Sequence, residues 1–148
     1  PNITLEDLDD DFFGYRYEIL AANPEEAKST SGSNKESVER SMTSGFNLPL
    51  TVRSTITYKS GLEHIILLLS TPIDDTSSYF TFVVWRNDDF TIPSEEVISF
   101  DRAIGEEDRV MLEKLNGVMP LGKTALVNVQ SDKASVEWRR QLSELING

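Results

Sequence analysis

Cysteine is absent from this 148-residue chain. That excludes disulfides, thiolate nucleophiles and any cysteine-held zinc or iron–sulfur cluster on it. Histidine occurs once, at His64, so a catalytic or metal site built on several histidines cannot be assembled from these residues. Long apolar runs are missing as well: the strongest, Ile65 to Leu69 with its flanks, falls far short of the roughly 20 residues that a bilayer-spanning helix needs. Positive charge is scarce, with 14 Lys and Arg against 25 Asp and Glu and a formal charge of -11. Such a field repels phosphate, so neither nucleic acid nor an anionic membrane surface is expected as main partner. The chain opens at Pro1 without a basic segment or an apolar signal core, and it reads as a cytoplasmic piece of a longer polypeptide. With 39% hydrophobic and 26% charged residues, what remains has the composition of one ordinary folded domain rather than of a disordered chain.

Pattern divides the chain into strands first and helices later. Residues Pro1 to Asp11 are acidic and read as a lead-in. Phe13 to Leu20 alternates aromatic with polar residues, the period of a half-buried strand, and Asn23-Pro24 stops it. From Asn23 to Ser44 large apolar side chains nearly vanish, which predicts a long exposed loop. Strands follow at Thr51 to Tyr58, Leu62 to Thr71 and Ser78 to Arg86, separated by turns at Lys59-Ser60-Gly61 and Pro72 to Ser77. A helix is expected from Ser94, as N-cap, to Leu115, with Gly105 as a point of bending. Residues 125–130 read as extended. A last helix begins after Ser131 or Asp132 and places Trp138, Leu142, Leu145 and Ile146 on one face. The order argues for an α+β fold with helices on one face of an antiparallel meander.

Few residues offer chemistry. His64 lies inside the second of these three strands, on the face of Leu62, Ile66 and Leu68, and reads as a structural histidine. Gly117 to Thr124 matches the G-x-x-x-x-G-K-T phosphate-loop pattern, but a helix precedes it and an extended segment follows, the reverse of what the loop requires. Pro120 also removes a backbone donor from the cradle. The most informative carboxylate is Asp108. At roughly 100° per residue from Phe100, Met111, Ile104, Leu115, Asp108 and Leu112 all fall within about 120°, so Asp108 lies inside the apolar stripe. A carboxylate there needs a partner: a salt bridge, a cap or a metal. Asp101, at about 100°, sits near the same arc and reads as its solvated edge.

Several segments resemble a known family: Gly61-Leu62-Glu63-His64-Ile65 through Pro72, Tyr79 to Asn87, Glu106 to Glu113, Val129 to Ala134, and Trp138-Arg139-Arg140-Gln141-Leu142. Together they are similar to the C-terminal catalytic domain of Rieske non-haem iron oxygenases, in the branch of vanillate O-demethylase and dicamba monooxygenase. The resemblance runs from about Gly14 to the C-terminus and implies a helix-grip (START/Bet v1-like) fold over residues 1–148. A curved antiparallel sheet would wrap a long helix around an apolar cavity. It also implies a mononuclear Fe(II) held by two histidines and one carboxylate. In the family's E-D-x-x-x-x-E stretch that carboxylate matches Asp108, between Glu107 and Glu113.

Two features depart from the family. The paired histidines and the Cys₂His₂ set of the Rieske 2Fe-2S cluster are not in this sequence, so the chain alone is expected to be inactive and to retain no cofactor. The resemblance therefore implies the C-terminal part of an oxygenase that hydroxylates or demethylates an apolar or aromatic substrate. Phe100, Ile104, Met111, Ile66, Leu68, Phe82 and Val84 would line the pocket. A reductase or ferredoxin would deliver electrons, and the complete enzyme would be a homotrimer. The alternative is a stand-alone helix-grip module that binds a hydrophobic ligand without redox chemistry.

Overall fold

The computed structural model describes residues 3–87, 91–115, 117, 120–121 and 126–148. Six antiparallel strands follow one another across a curved open sheet in chain order: β1 (Glu6–Asp7), β2 (Phe13–Ala22), β3 (Ser37–Asn47), β4 (Thr51–Tyr58), β5 (Glu63–Pro72) and β6 (Ser78–Arg86). Three helices complete the α+β fold: α1 (Glu25–Ser31) between β2 and β3, then α2 (Ser94–Leu112) and α3 (Lys133–Asn147) after the sheet. The arrangement is helix-grip-like.

β-branched, aromatic and other apolar residues build β4 to β6 within a residue of where the sequence predicts them. The segment from Asn23 to Ser44 differs from the expected exposed loop: it holds α1 and most of β3. Three local devices fold it. The buried Asn23 amide donates to the carbonyls of Ser33 and Lys35, both at 2.8 Å, and staples the ends of the α1 excursion together. Glu25 and Glu26 occupy the first turn of α1, and Gly32, at φ 64°, ends it in the left-handed conformation. β3 then pairs along its whole length with β2. Its apolar residues Val38, Met42 and Phe46 are spaced by four, because Arg40 and Ser44 take the intervening places on the same face, and this hides the period of two.

Register assigns every strand a face. Val38, Met42, Ile56, Tyr58 and Leu62 cluster on the face that carries the helices. On that face Tyr15, Ser44, Ser54, Ile66 and Val84 stand in one row across five strands. The opposite face supports the acidic lead-in. Gly14 and Gly45 are register partners, and Leu8 lies against Gly45, where an added Cβ would meet its Cδ1 at 2.6 Å. Asp9 pairs with Arg53, whose guanidinium also sits 4.0 Å from the Phe12 ring centroid. The lead-in is thus tied down and contributes strand β1.

The helices depart from expectation at their ends. Pro93, not Ser94, is the N-cap of α2, and Glu95 and Glu96 supply negative charge to the first turn. The helix stops at Leu112 rather than Leu115, and Gly105 does not divide it. A short 3₁₀ turn at Gln130–Asp132 leads into α3, and residues 126–129 form no strand. Leu142 and Arg139 are the buried side chains of α3, whereas Leu145 and Ile146, expected on its apolar face, are exposed.

Candidate functional site

His64 on β5 and Arg86 on β6 are register partners at one corner of the helix-bearing face, and α2 crosses that corner. The helix brings Asp101 over His64, with Asp101 Oδ2 3.3 Å from His64 Nε2. His64 is 2% exposed and Asp101 7%. Neither facing atom has a well-directed hydrogen bond among the described residues, so their mutual approach is what offsets the burial of both. Arg86 is also buried. One turn along α2, Gly105 lies over Phe82, and a Cβ there would sit 3.9 Å from the ring. Helix and sheet are therefore in contact from His64 to Phe82.

Asp101 reverses its expected place. Instead of forming a solvated edge it is the buried acid of α2, and Asp108, expected to face the core, is exposed. The helical phase explains both. Measured from Phe100, Val97 falls at about 60° and Asp101 at about 100°, and both are buried. Asp108, at about 80°, lies on the line between them, roughly 10 Å farther along the axis at 1.5 Å per residue. The stripe is continuous, but its C-terminal half extends past what covers the N-terminal half. Arg109, beside Asp108, pairs with both Glu106 and Glu113, which holds Glu106 below the usual carboxylate range and Arg109 above its ordinary value. Asp108 has no such partner among the described residues.

The other candidate residues divide by element. Ile66 pairs with Val84 and Leu68 with Phe82, so the four form a contiguous half-buried block on the helix-bearing face. From α2, Phe100 is half-buried and lies beside α1 in a groove with Ser99 and Ala103, while Ile104 and Met111 are 46% and 61% exposed. A separate cavity of about 640 Å³ opens on the same face of the sheet beneath α3, lined by Tyr15, Ser44, Phe46, Val52, Trp138 and Arg139 among others. Trp138 is fixed there by its indole N–H, which donates to the Pro49 carbonyl at 2.8 Å. Arg139 is buried and donates to the Asn128 side-chain oxygen at 3.0 Å. The phosphate-loop match at Gly117 to Thr124 falls largely on residues outside those described.

A curved antiparallel sheet with its helices gathered on one face, and a cavity between them, defines a helix-grip-like domain. The sequence shows which one it is. Residues 4–148 match the vanillate O-demethylase oxygenase C-terminal domain, and the chain belongs to that family. No curated protein matches it. The family is one of oxygenases, and it implies iron-dependent catalysis in the complete enzyme. The described residues do not form such a centre by themselves: they contain no cluster of three or more His, Asp or Glu able to hold a metal, and the one histidine is sealed against Asp101. None of the described helices is long and apolar enough to cross a membrane.

Proposed function

We propose that this chain is the substrate-enclosing part of a Rieske-type oxygenase and that Asp108 is its contribution to the mononuclear Fe(II) centre. The observation that carries this reading is the position of Asp108, on the stripe defined by the buried Val97 and Asp101 yet without a charge partner among the described residues, while Arg109 engages Glu106 and Glu113. A two-His, one-carboxylate centre uses one hard oxygen ligand and keeps positions open for oxygen. The two histidines, and the 2Fe-2S cluster that supplies electrons from a reductase or ferredoxin, would come from other residues of the complete enzyme. On this reading the enzyme is a cytoplasmic homotrimer. Ile66, Leu68, Phe82 and Val84 form the sheet side of the pocket, and Phe100, Ile104 and Met111 the helix side. Such walls suit hydroxylation or demethylation of a small apolar or aromatic compound.

The test is iron content. Asp108→Asn in the complete oxygenase is expected to leave stability within about 0.5 kcal/mol, since an exposed side chain without partners is replaced. Bound iron is expected to fall at least tenfold. Full iron occupancy in the folded variant would refute the assignment.

A second reading, a ligand-binding module without redox activity, is favoured by the 640 Å³ cavity beneath α3, which involves neither Asp108 nor His64. It predicts that the metal-free 148-residue chain binds apolar fluorescent ligands and that Trp138→Ala weakens them. An oxygenase part that needs the rest of its enzyme to close the pocket would give no saturable binding in the same titration.

A further inference from the structure

We infer that His64 and Asp101 are a positioning pair: their buried contact sets the rotation and register of α2 on the sheet and thereby aims Asp108 along the helix-bearing face. The inference rests on the reading of Asp108 given above but uses different observations. Across the sheet–helix contact, the described apolar interactions of α2 are sparse. Val97 is its only buried apolar side chain, and Gly105 meets Phe82 without a side chain of its own. Non-directional contacts of that kind let a helix slide or turn at little cost. A single buried acid facing a single buried imidazole does not, because a turn of one residue would carry Asp101 about 100° away and leave both groups desolvated and unpaired. Asp108 follows Asp101 by two turns on the same stripe, so the angle set at the pair is transmitted along the rigid helix to Asp108. His64 and Asp101 act on Asp108 through α2.

The absence of cysteine makes the test direct, because two introduced thiols are the only labelling sites on the chain. Spin labels at Glu18→Cys on β2 and Val110→Cys on α2 report the distance from sheet to helix by pulsed electron resonance, under conditions where every variant is fully folded. One narrow distribution is expected for the parent. In the double variant His64→Leu/Asp101→Leu, which leaves neither member of the pair buried without the other, the distribution is expected to shift or broaden by about 5 Å, one helical turn. Asp101→Asn, whose amide can still donate to the imidazole, is expected to restore the narrow parental distribution. If the double variant does not fold, Asp101→Leu alone carries the same expectation. An unchanged distribution in either folded apolar variant overturns the inference, because packing alone would then be placing the helix. Since no iron is measured, failure of Asp108 as a ligand would appear in the iron assay and leave this result standing.

Discussion

Removing Asp101 should cost this chain far more than removing Asp101 and His64 together. The side chains are 5% and 2% exposed, with 3.3 Å between Oδ2 and Nε2, and neither atom has another hydrogen bond among the described residues. Breaking a buried pair from one side leaves the other polar group desolvated, a cost of about 3–5 kcal/mol. The imperfect alignment of the pair puts Asp101→Leu at the lower end, about 3 kcal/mol, with a fall in melting temperature of roughly 6–12 °C for a domain of this size. His64→Leu leaves a buried carboxylate and should cost at least as much. The double variant exchanges both groups for apolar side chains and should lie within about 1 kcal/mol of the parent, which makes the coupling energy about 5 kcal/mol or larger in magnitude. Urea denaturation of the four proteins measures all three differences. Single variants that each cost less than about 1 kcal/mol, or a double variant that costs their sum, would refute the reasoning that these groups compensate one another.

Two further outcomes follow from local structure. Gly14→Ala should destabilise by about 2 kcal/mol, because its Cβ would overlap the Ser44 carbonyl oxygen and the Gly45 Cα across the β2–β3 ladder. Gly105→Ala, with ordinary contact to Phe82, should instead stabilise α2 by about 0.5–1 kcal/mol, and thermal denaturation of both separates the cases. On α3, hydrogen bonds from Arg140 and Gln141 pull the Glu137 carboxyl down to about 2 from its ordinary 4.5. A folded-state value below the unfolded one adds stability that is complete above about pH 4.5 and is lost as pH falls toward 2. Arg140 is half exposed, so solvent screening limits the contribution to about 0.5–1 kcal/mol. Glu137→Gln should lose that amount at pH 7 and nothing near pH 2, as read from urea midpoints at the two pH values.

What could be read from the sequence depended on how faithfully a segment's polarity reported its burial. β4 and β6 fall on the residues predicted for them, since turns at Lys59-Ser60-Gly61 and after Pro72 bound them, β4 by the alternation of its faces and β6 by an apolar run on both faces. β3 was hidden because Arg40 and Ser44 stand among its inward positions, and its pairing partner β2 supplies the strand conformation that its own composition does not announce. The same limit governed the site. A helical wheel gives the angle of Asp101 and Asp108 but not how far along the helix the sheet continues to cover that angle, so it located the stripe correctly and exchanged the environments of its two acids. The signal that could have found Asp101 was the unpaired lone histidine on a strand whose face also carries Ile66 and Leu68. A buried imidazole needs a polar partner, and Asp101, the first acid of the following helix that falls within its apolar arc, was the available one.

The two functional readings make opposite demands on the surface beyond that contact. β6 is an edge strand, and it exposes Tyr79, Val83 and Trp85 on one face and Phe80 on the other. The helix that follows leaves Val110, Met111 and Leu112 exposed in its last turn, with Leu115 just beyond. Single exposed apolar residues are ordinary on any protein, but here they recur along one sheet edge and along the free half of one helix. A self-sufficient ligand-binding module gains nothing from an uncovered apolar edge, which invites strand pairing and aggregation. A part of a larger oxygenase domain does, because further chain laid along β6 and across the end of α2 would cover the same residues. That surface therefore favours the oxygenase reading over the module.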